Sequence, residues 1–442
     1  VRTESFLTLP RAMRAVTDVK RRHEGVEMSL YSTMYTSVTG LETTSQELGV
    51  VSDNIANANT IGFKQSRASF ADIMGANLGT RGQLGLGARL QAVQKILTQG
   101  ALTSTGLATD LAIQGPGFFM VAMPDGQTAY TRAGQFTIDN EGFLVNLDGL
   151  RVQGYQANAA GAVGGTLGEL QVGDASTPPQ ATSEVEFAGN LDSSAVDSGL
   201  AYDPNDPDTY EFSTSTVLYD SLGNAVSATV HFKKTAVPGE WETHVVVDSA
   251  SQQSPTTTPL TEIDSGTLTF DTDGNLTAQT MTGAPGFSPV GATQPQAVTY
   301  TFDDMTQYAG PSAMSFISQD GFAAGELANI SIDNDGTVTG AFTNGETRAL
   351  GQVAIADFSA ADQLERAGGN LYRATRAAGE PVVGVAGTGG RGTLVAGALE
   401  LSNVDLASEF VRMIVAQRGF QANSKAITTV DTLLGELMQL KR

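Results

Sequence analysis

Cysteine is absent from this 442-residue chain. Its absence removes disulfides, thiolate metal sites and cysteine nucleophiles, and leaves the redox compartment open. Histidine is scarce, at three residues. His23 lies near the start, while His231 and His244 sit in alternating apolar stretches. His231 falls between Val230 and Phe232 and beside Lys233, a position that reads as the solvated face of a strand. Positive charge is also short: 25 Lys and Arg stand against 47 Asp and Glu, for a net charge of -22. Such a chain repels nucleic acid and anionic membrane, so neither is an expected partner. No apolar run reaches the roughly 18 residues that a membrane-spanning helix needs, and no membrane insertion is expected.

Catalytic signatures are missing too. There is no H-E-x-x-H, G-x-S-x-G or Walker loop. Gly387, Gly389 and Gly392 spell G-x-G-x-x-G, but that motif needs a helix opening at its glycines, and Thr393 to Ala396 reads as a strand. The acidic turn at Asp333, Asp335 and Gly336 fails as a calcium loop, with Ser331 at the first ligand position and Phe342 at the bidentate one. No catalytic residue, cofactor or metal ligand is expected.

Glycine, by contrast, is abundant: the chain has 50. Many tight turns and a mainly β fold follow. Phe136 to Val145 and Ile330 to Val338 share an apolar-x-Ile-Asp-Asn-acid-Gly pattern, which reads as one hairpin used twice. Between them lies a second set of alternating strands, including Val226 to Phe232 and Trp241 to Val247. The β architecture therefore looks nested. Residues 98–176 and 320–402 are the expected first β domain, 177–319 an inserted outer β domain, and 59–97 an extended connector with a possible strand from Ala88.

Helical patterns occupy the two ends. Leu406, Met413, Phe420, Ile427 and Leu434 recur at a step of seven, as do Met34, Leu41, Leu48 and Ile55. That spacing predicts helices over 28–58 and 403–442 that need other helices beside them. Ser402 or Asn403 is the expected cap of the second. The first 27 residues differ in charge sign, with six bases against four acids. They are expected to be a disordered leader upstream of a start at Met28.

The motifs at both ends then carry a resemblance. N-I-A-N-A-N-T-I-G-F-K, with Asn54, Ile55, Ala56, Asn57, Gly62, Phe63 and Lys64, resembles the signature of the axial proteins of the bacterial flagellum, the rod and hook family. Ser402, Asn403, Val404 and Asp405, continuing to Gln417 and Arg418, resemble its C-terminal counterpart. G-P-G-F-F from Gly115 and T-R-A-G-Q-F from Thr131 are similar to the family's shared β domain. The resemblance implies a homopolymeric tube whose terminal helices form a coiled axial core. It also implies a structural role without catalysis, export through the flagellar type III apparatus, and a location outside the cell. The implied neighbours are the distal rod, the hook cap and the hook–filament junction proteins. The large insertion is that of a hook-type member, a universal joint that carries torque. A distal rod subunit and a secreted β-rich adhesin or fibre protein are the alternative readings.

Overall fold

The computed structural model of the protein describes residues 11–74, 85–173, 175–255, 258–282 and 286–440, with side chains from Leu30 onward except those of Leu437 and Leu440. Two compact units divide the chain. Unit 1 comprises 1–173, 331–339 and 349–442; unit 2 comprises 174–330 and 340–348.

Unit 1 carries both long helices, α1 (Arg11–Ala56) and α2 (Leu406–Leu440). The helix therefore extends upstream of the expected start at 28, into residues 11–27 of the expected leader; residues 1–10 lie outside the described residues. The cap of α2 is Asp405, whose carboxylate accepts from the amides of Ala407 at 2.9 Å and Ser408 at 3.4 Å. Neither Ser402 nor Asn403 performs that task, because Asn403 is engaged elsewhere. The expected connector is instead an antiparallel hairpin of β1 (Ser66–Asp72) and β2 (Ala88–Lys95), with a bulge between Ser69 and Phe70. Glycine and alanine there obscure the strand alternation.

The β core of unit 1 is a set of short antiparallel strands. Phe118–Ala122 pairs with Thr128–Thr131 and with Arg151–Ala157. Phe118, Met120, Tyr130, Ala354, Ala356, Phe358 and Tyr372 form a buried cluster on one face. On the other face Phe119 meets Phe136 edge-on at 5.1 Å. The repeated hairpin is visible in its bonds. Asp139 N–H donates to Phe143 and Gly142 N–H to Asp139, and Asp333 and Gly336 make the same two bonds to Thr337 and Asp333.

Unit 2 has a five-stranded antiparallel sheet in the order Phe212–Tyr219, Ala225–Lys234, Glu240–Asp248, Leu260–Phe270 and Leu276–Met281. Its three-stranded sheet places Glu184–Asn190 between Thr299–Thr306 and Ala313–Gln319. Trp241, Phe232, Phe187 and Phe302 share one core, the last two rings stacked at 5.1 Å. The unit is larger than the expected 177–319. Ser176 pairs with Glu326, and Asn344 donates to Ala323, so 320–330 and 340–348 belong with the insertion. Turn chemistry marked those hairpins correctly, but it carries no information on which strand each leg pairs with. His231 overturns its expected solvated position: it is 3% exposed, beneath Tyr202 and Tyr210. Alternation identifies the face opposite the core but is blind to a segment laid across it.

Candidate assembly interface

The two helices run antiparallel. Asn54 meets Glu409 through a 3.2 Å hydrogen bond, Thr44 lies beside Gly419, and Gly40 lies beside Asn423. A Cβ at Gly40 would stand 2.6 Å from Asn423 Nδ2, and one at Gly419 would stand 3.2 Å from Thr44 Cγ2. Absent side chains thus set the helix separation. Ser37 and Thr43 are buried on α1, and their hydroxyls donate to carbonyls of their own helix, those of Thr33 and Thr39. Among the described residues, the buried apolar side chains of the pair are Val51, Ala416 and Val430.

The predicted seven-step row of α1 flanks this seam, whereas that of α2 drifts from its flank at Leu406 onto the Ala416 line at Ile427 and Leu434. Met413, Ile427, Leu434, Leu41, Leu48 and Ile55 are half-buried, whereas Leu406, Phe420 and Met34 are exposed. A row spaced by seven drifts about 20° per heptad around a straight α-helix, so it cannot follow one contact line. At 100° per residue, Val411, Ile414, Arg418 and Lys425 lie opposite the Ala416 side of α2, flanked by Phe410 and Val415. All six are exposed, as is Gln417. This outward face combines a contiguous apolar stripe with two bases.

The signature residues at both ends meet in a buried lock. Lys64 Nζ lies 2.6 Å from Glu400 Oε1 and donates to the Thr98 carbonyl at 2.8 Å. Arg132 Nη1 lies 3.1 Å from Glu400 Oε2, and the Gly100 amide donates to Oε1 at 2.8 Å. Glu400 is fully buried and Lys64 nearly so. Burial pulls the Lys64 pKa below the ordinary lysine value, opposed by its hydrogen bond and attraction to Glu400. The same burial lowers that of Arg132. Asn54 accepts from the Ser66 amide at 2.9 Å and donates to its carbonyl at 2.8 Å. Asn403 accepts from the Gln65 amide and donates to the carbonyls of Ile96 and Thr98. Asn57 closes the end of α1 on Asp53. Arg366 pairs with Asp53 at 2.8 Å and lies over the Phe63 ring at 4.8 Å. Ile55, Ser402 and Val404 are half-buried around this junction, and Ala56 is exposed.

Glu400 and Arg132 fall inside the motifs A-L-E-L-S-N-V-D-L and T-R-A-G-Q-F, and Glu409 inside the first turn of the predicted second helix, but the sequence assigned them no partners, and Arg366 was not singled out. Glu400 was legible as an isolated acid between two leucines in A-L-E-L, a setting where a charge needs a partner. Gly62 holds the turn before Lys64 at φ +70°, and a Cβ there would lie 2.5 Å from the Ala133 backbone nitrogen. Gly62→Ala should therefore cost at least about 2 kcal/mol. Urea unfolding of unit 1, followed by far-UV circular dichroism, measures this.

A cavity of about 270 Å³ adjoins the lock, lined by Lys64, Gln99, Gly115, Gly117, Arg132 and Asp357. Its two cations are already bound to Glu400. The glycines of the G-x-G-x-x-G run form a turn between two strands, Val382–Val385 and Thr393–Ala396, with Gly387 N–H donating to Gly392. Among the described residues no group of three or more acidic or histidine side chains converges as a metal site.

Four families match successive parts of the chain. They are the flagella basal body rod protein family at residues 34–64, the flagellar hook protein FlgE/F/G D1 domain at 112–190, the flagellar basal body protein FlaE D2 domain at 190–322, and the flagellar basal body rod FlgEFG protein C-terminal family at 395–440. Flagellar hook protein FlgE of Treponema pallidum is 34% identical, over 92% of this chain and 99% of its own length. That of Salmonella typhimurium is 35% identical over the same shares. The crystal structure of Helicobacter pylori flagellar hook protein FlgE2 superposes with a TM-score of 0.45 at 14% identity, covering 66% of this chain and 98% of that one. Resting on the full-length sequence relatives, the conclusion is that this chain belongs to the flagellar hook protein FlgE family.

Proposed function

We propose that the protein is the repeating structural subunit of the bacterial flagellar hook, polymerising with copies of itself into a flexible tube that passes torque outward from the basal body. The observation that carries this reading is the division of labour on α2. In its N-terminal half, its contact with α1 is made by Glu409, Ala416, Gly419 and Asn423, while Phe410, Val411, Ile414 and Val415 face outward. A helix segment that turns four large apolar side chains away from its own subunit is built to be covered by another.

Full-length similarity to hook proteins, together with the D2 match at 190–322, favours this assignment over a distal rod subunit or an adhesin. Distal rod, hook cap and hook–filament junction proteins are the neighbours this role would bring, reached after type III export. Seeded polymerisation of the purified subunit, followed by electron microscopy, tests the proposal. Curved tubes are the expected product. Straight rods would favour the rod reading, and the absence of polymer from good seeds would overturn self-assembly.

A further inference from the structure

In unit 2, strands Ala225–Lys234 and Glu240–Asp248 place His231 and His244 directly opposite each other on the face away from the core. A segment carrying Tyr202 and Tyr210 covers them. The Tyr202 ring stacks on His244 with centroids 3.6 Å apart and planes 8° apart. Tyr210 stacks on His231 at 3.9 Å and 11°. The Tyr202 hydroxyl lies 2.9 Å from His231 Nδ1. Between these rings the segment is knotted to itself: Thr209 Oγ1 donates to the carbonyls of Asp203 and Asp206, and Asp206 caps a short Pro207–Thr209 turn. The paired ring stacks hold a self-contained strap against the sheet.

We propose that residues 200–210 form a pH-sensitive strap, closed by Tyr202 and Tyr210 over an uncharged His231 and released when that imidazole takes up a proton. Burial of the ring, and secondarily the facing His244, push the His231 pKa down to about 4 from its ordinary value of 6.5. The direction of the coupling follows. Above pH 6.5 the imidazole is neutral whether the strap is open or closed, and closure is at full strength. Between pH 6.5 and 4 the open form gains a proton that the closed form does not hold, so closure weakens as pH falls. Tyrosine faces attract an imidazolium, and the Tyr202 hydroxyl can accept from a protonated Nδ1; both offset part of this, but burial of the ring outweighs them.

The carboxylates around the rings oppose this, offsetting part of the cost of a charge there, but burial of the His231 ring remains the largest effect. Glu262 lies 3.2 Å from His244 Nδ1, and Glu242 lies 3.8 Å from His244 Nε2 and 3.3 Å from Lys233. Asp203 and Glu211 flank the two tyrosines, and Glu211 is engaged with the Lys234 amide at 2.6 Å.

The test is hydrogen exchange of amides 200–210 in the whole protein at pH 7 and pH 4.5, corrected for intrinsic rates. Emission from Trp241, the chain's sole tryptophan, reports whether the unit 2 core stays intact. Protection should fall at least about tenfold, within a ceiling of roughly two orders of magnitude set by the shift. In His231→Gln the fall should vanish. Constant protection in the natural chain, or an equal fall in that variant, would overturn the proposal. Should the variant lose its Trp241 signature, NMR titration of the natural chain decides: His231 is expected to titrate near pH 4, and titration near 6.5 would rule the strap out.

Discussion

Replacing Val411 and Ile414 together by glutamate should abolish polymer formation while leaving the subunit folded. Both side chains are more than half exposed, so the subunit itself forfeits little by losing them. A partner copy that covers the part still exposed gains about 1–2 kcal/mol for each. Loss of both therefore raises the critical concentration by roughly one and a half to three orders of magnitude, before the cost of burying two carboxylates is added. Glutamate at 414 stands four residues before Arg418, an arrangement that supports an isolated helix. Failure to assemble would thus report on the interface and not on helix loss. Sedimentation of seeded reactions, with far-UV circular dichroism and Trp241 emission as folding controls, measures it. Polymers of normal yield would refute the outward face as a docking surface.

Glu400→Gln should destabilise unit 1 by about 3–5 kcal/mol, the range for removing one member of a buried ion pair. Lys64 and Arg132 would remain buried without their anion, and the Gly100 amide would face a neutral oxygen. Unit 2 should be unaffected, because the lock lies wholly in unit 1. Urea unfolding should show the helical signal lost at lower denaturant while the Trp241 transition stays in place. Adding Lys64→Met removes one stranded cation and should recover part of the loss; strict additivity of the two changes would argue against coupling.

The two terminal helices, the nested β organisation and the duplicated hairpin were legible, because each is written in local terms: a repeat of seven, a change of loop chemistry, an Ile-Asp-Asn run. The helix–helix seam was not. Hydropathy scores the residues that are large and apolar, and this seam is made by Gly40, Thr44, Gly419 and Asn423. Its signal was present in Gly40 and Gly419, since a glycine inside a long helix costs about 1 kcal/mol and needs a reason. Asn54, Lys64 and Asn403 could be named from their motifs, but their roles depend on partners more than three hundred residues away or on backbone carbonyls that no pattern announces. The outline of the insertion was legible, but its outer limits were not, because strand partnership is a long-range property.

Lys64 waits for a carboxylate 336 positions downstream, and Asn54 for one 355 positions downstream. Closing loops of that size is slow, and nothing nearer can substitute for the distant acid. A chain threaded out end-first would therefore leave its opening helix with only the nearby β1–β2 hairpin to pack on, through Asn54 and Ser66, until α2 had emerged. The helix pair and the buried lock would thus close only after Glu400 and Glu409 had arrived.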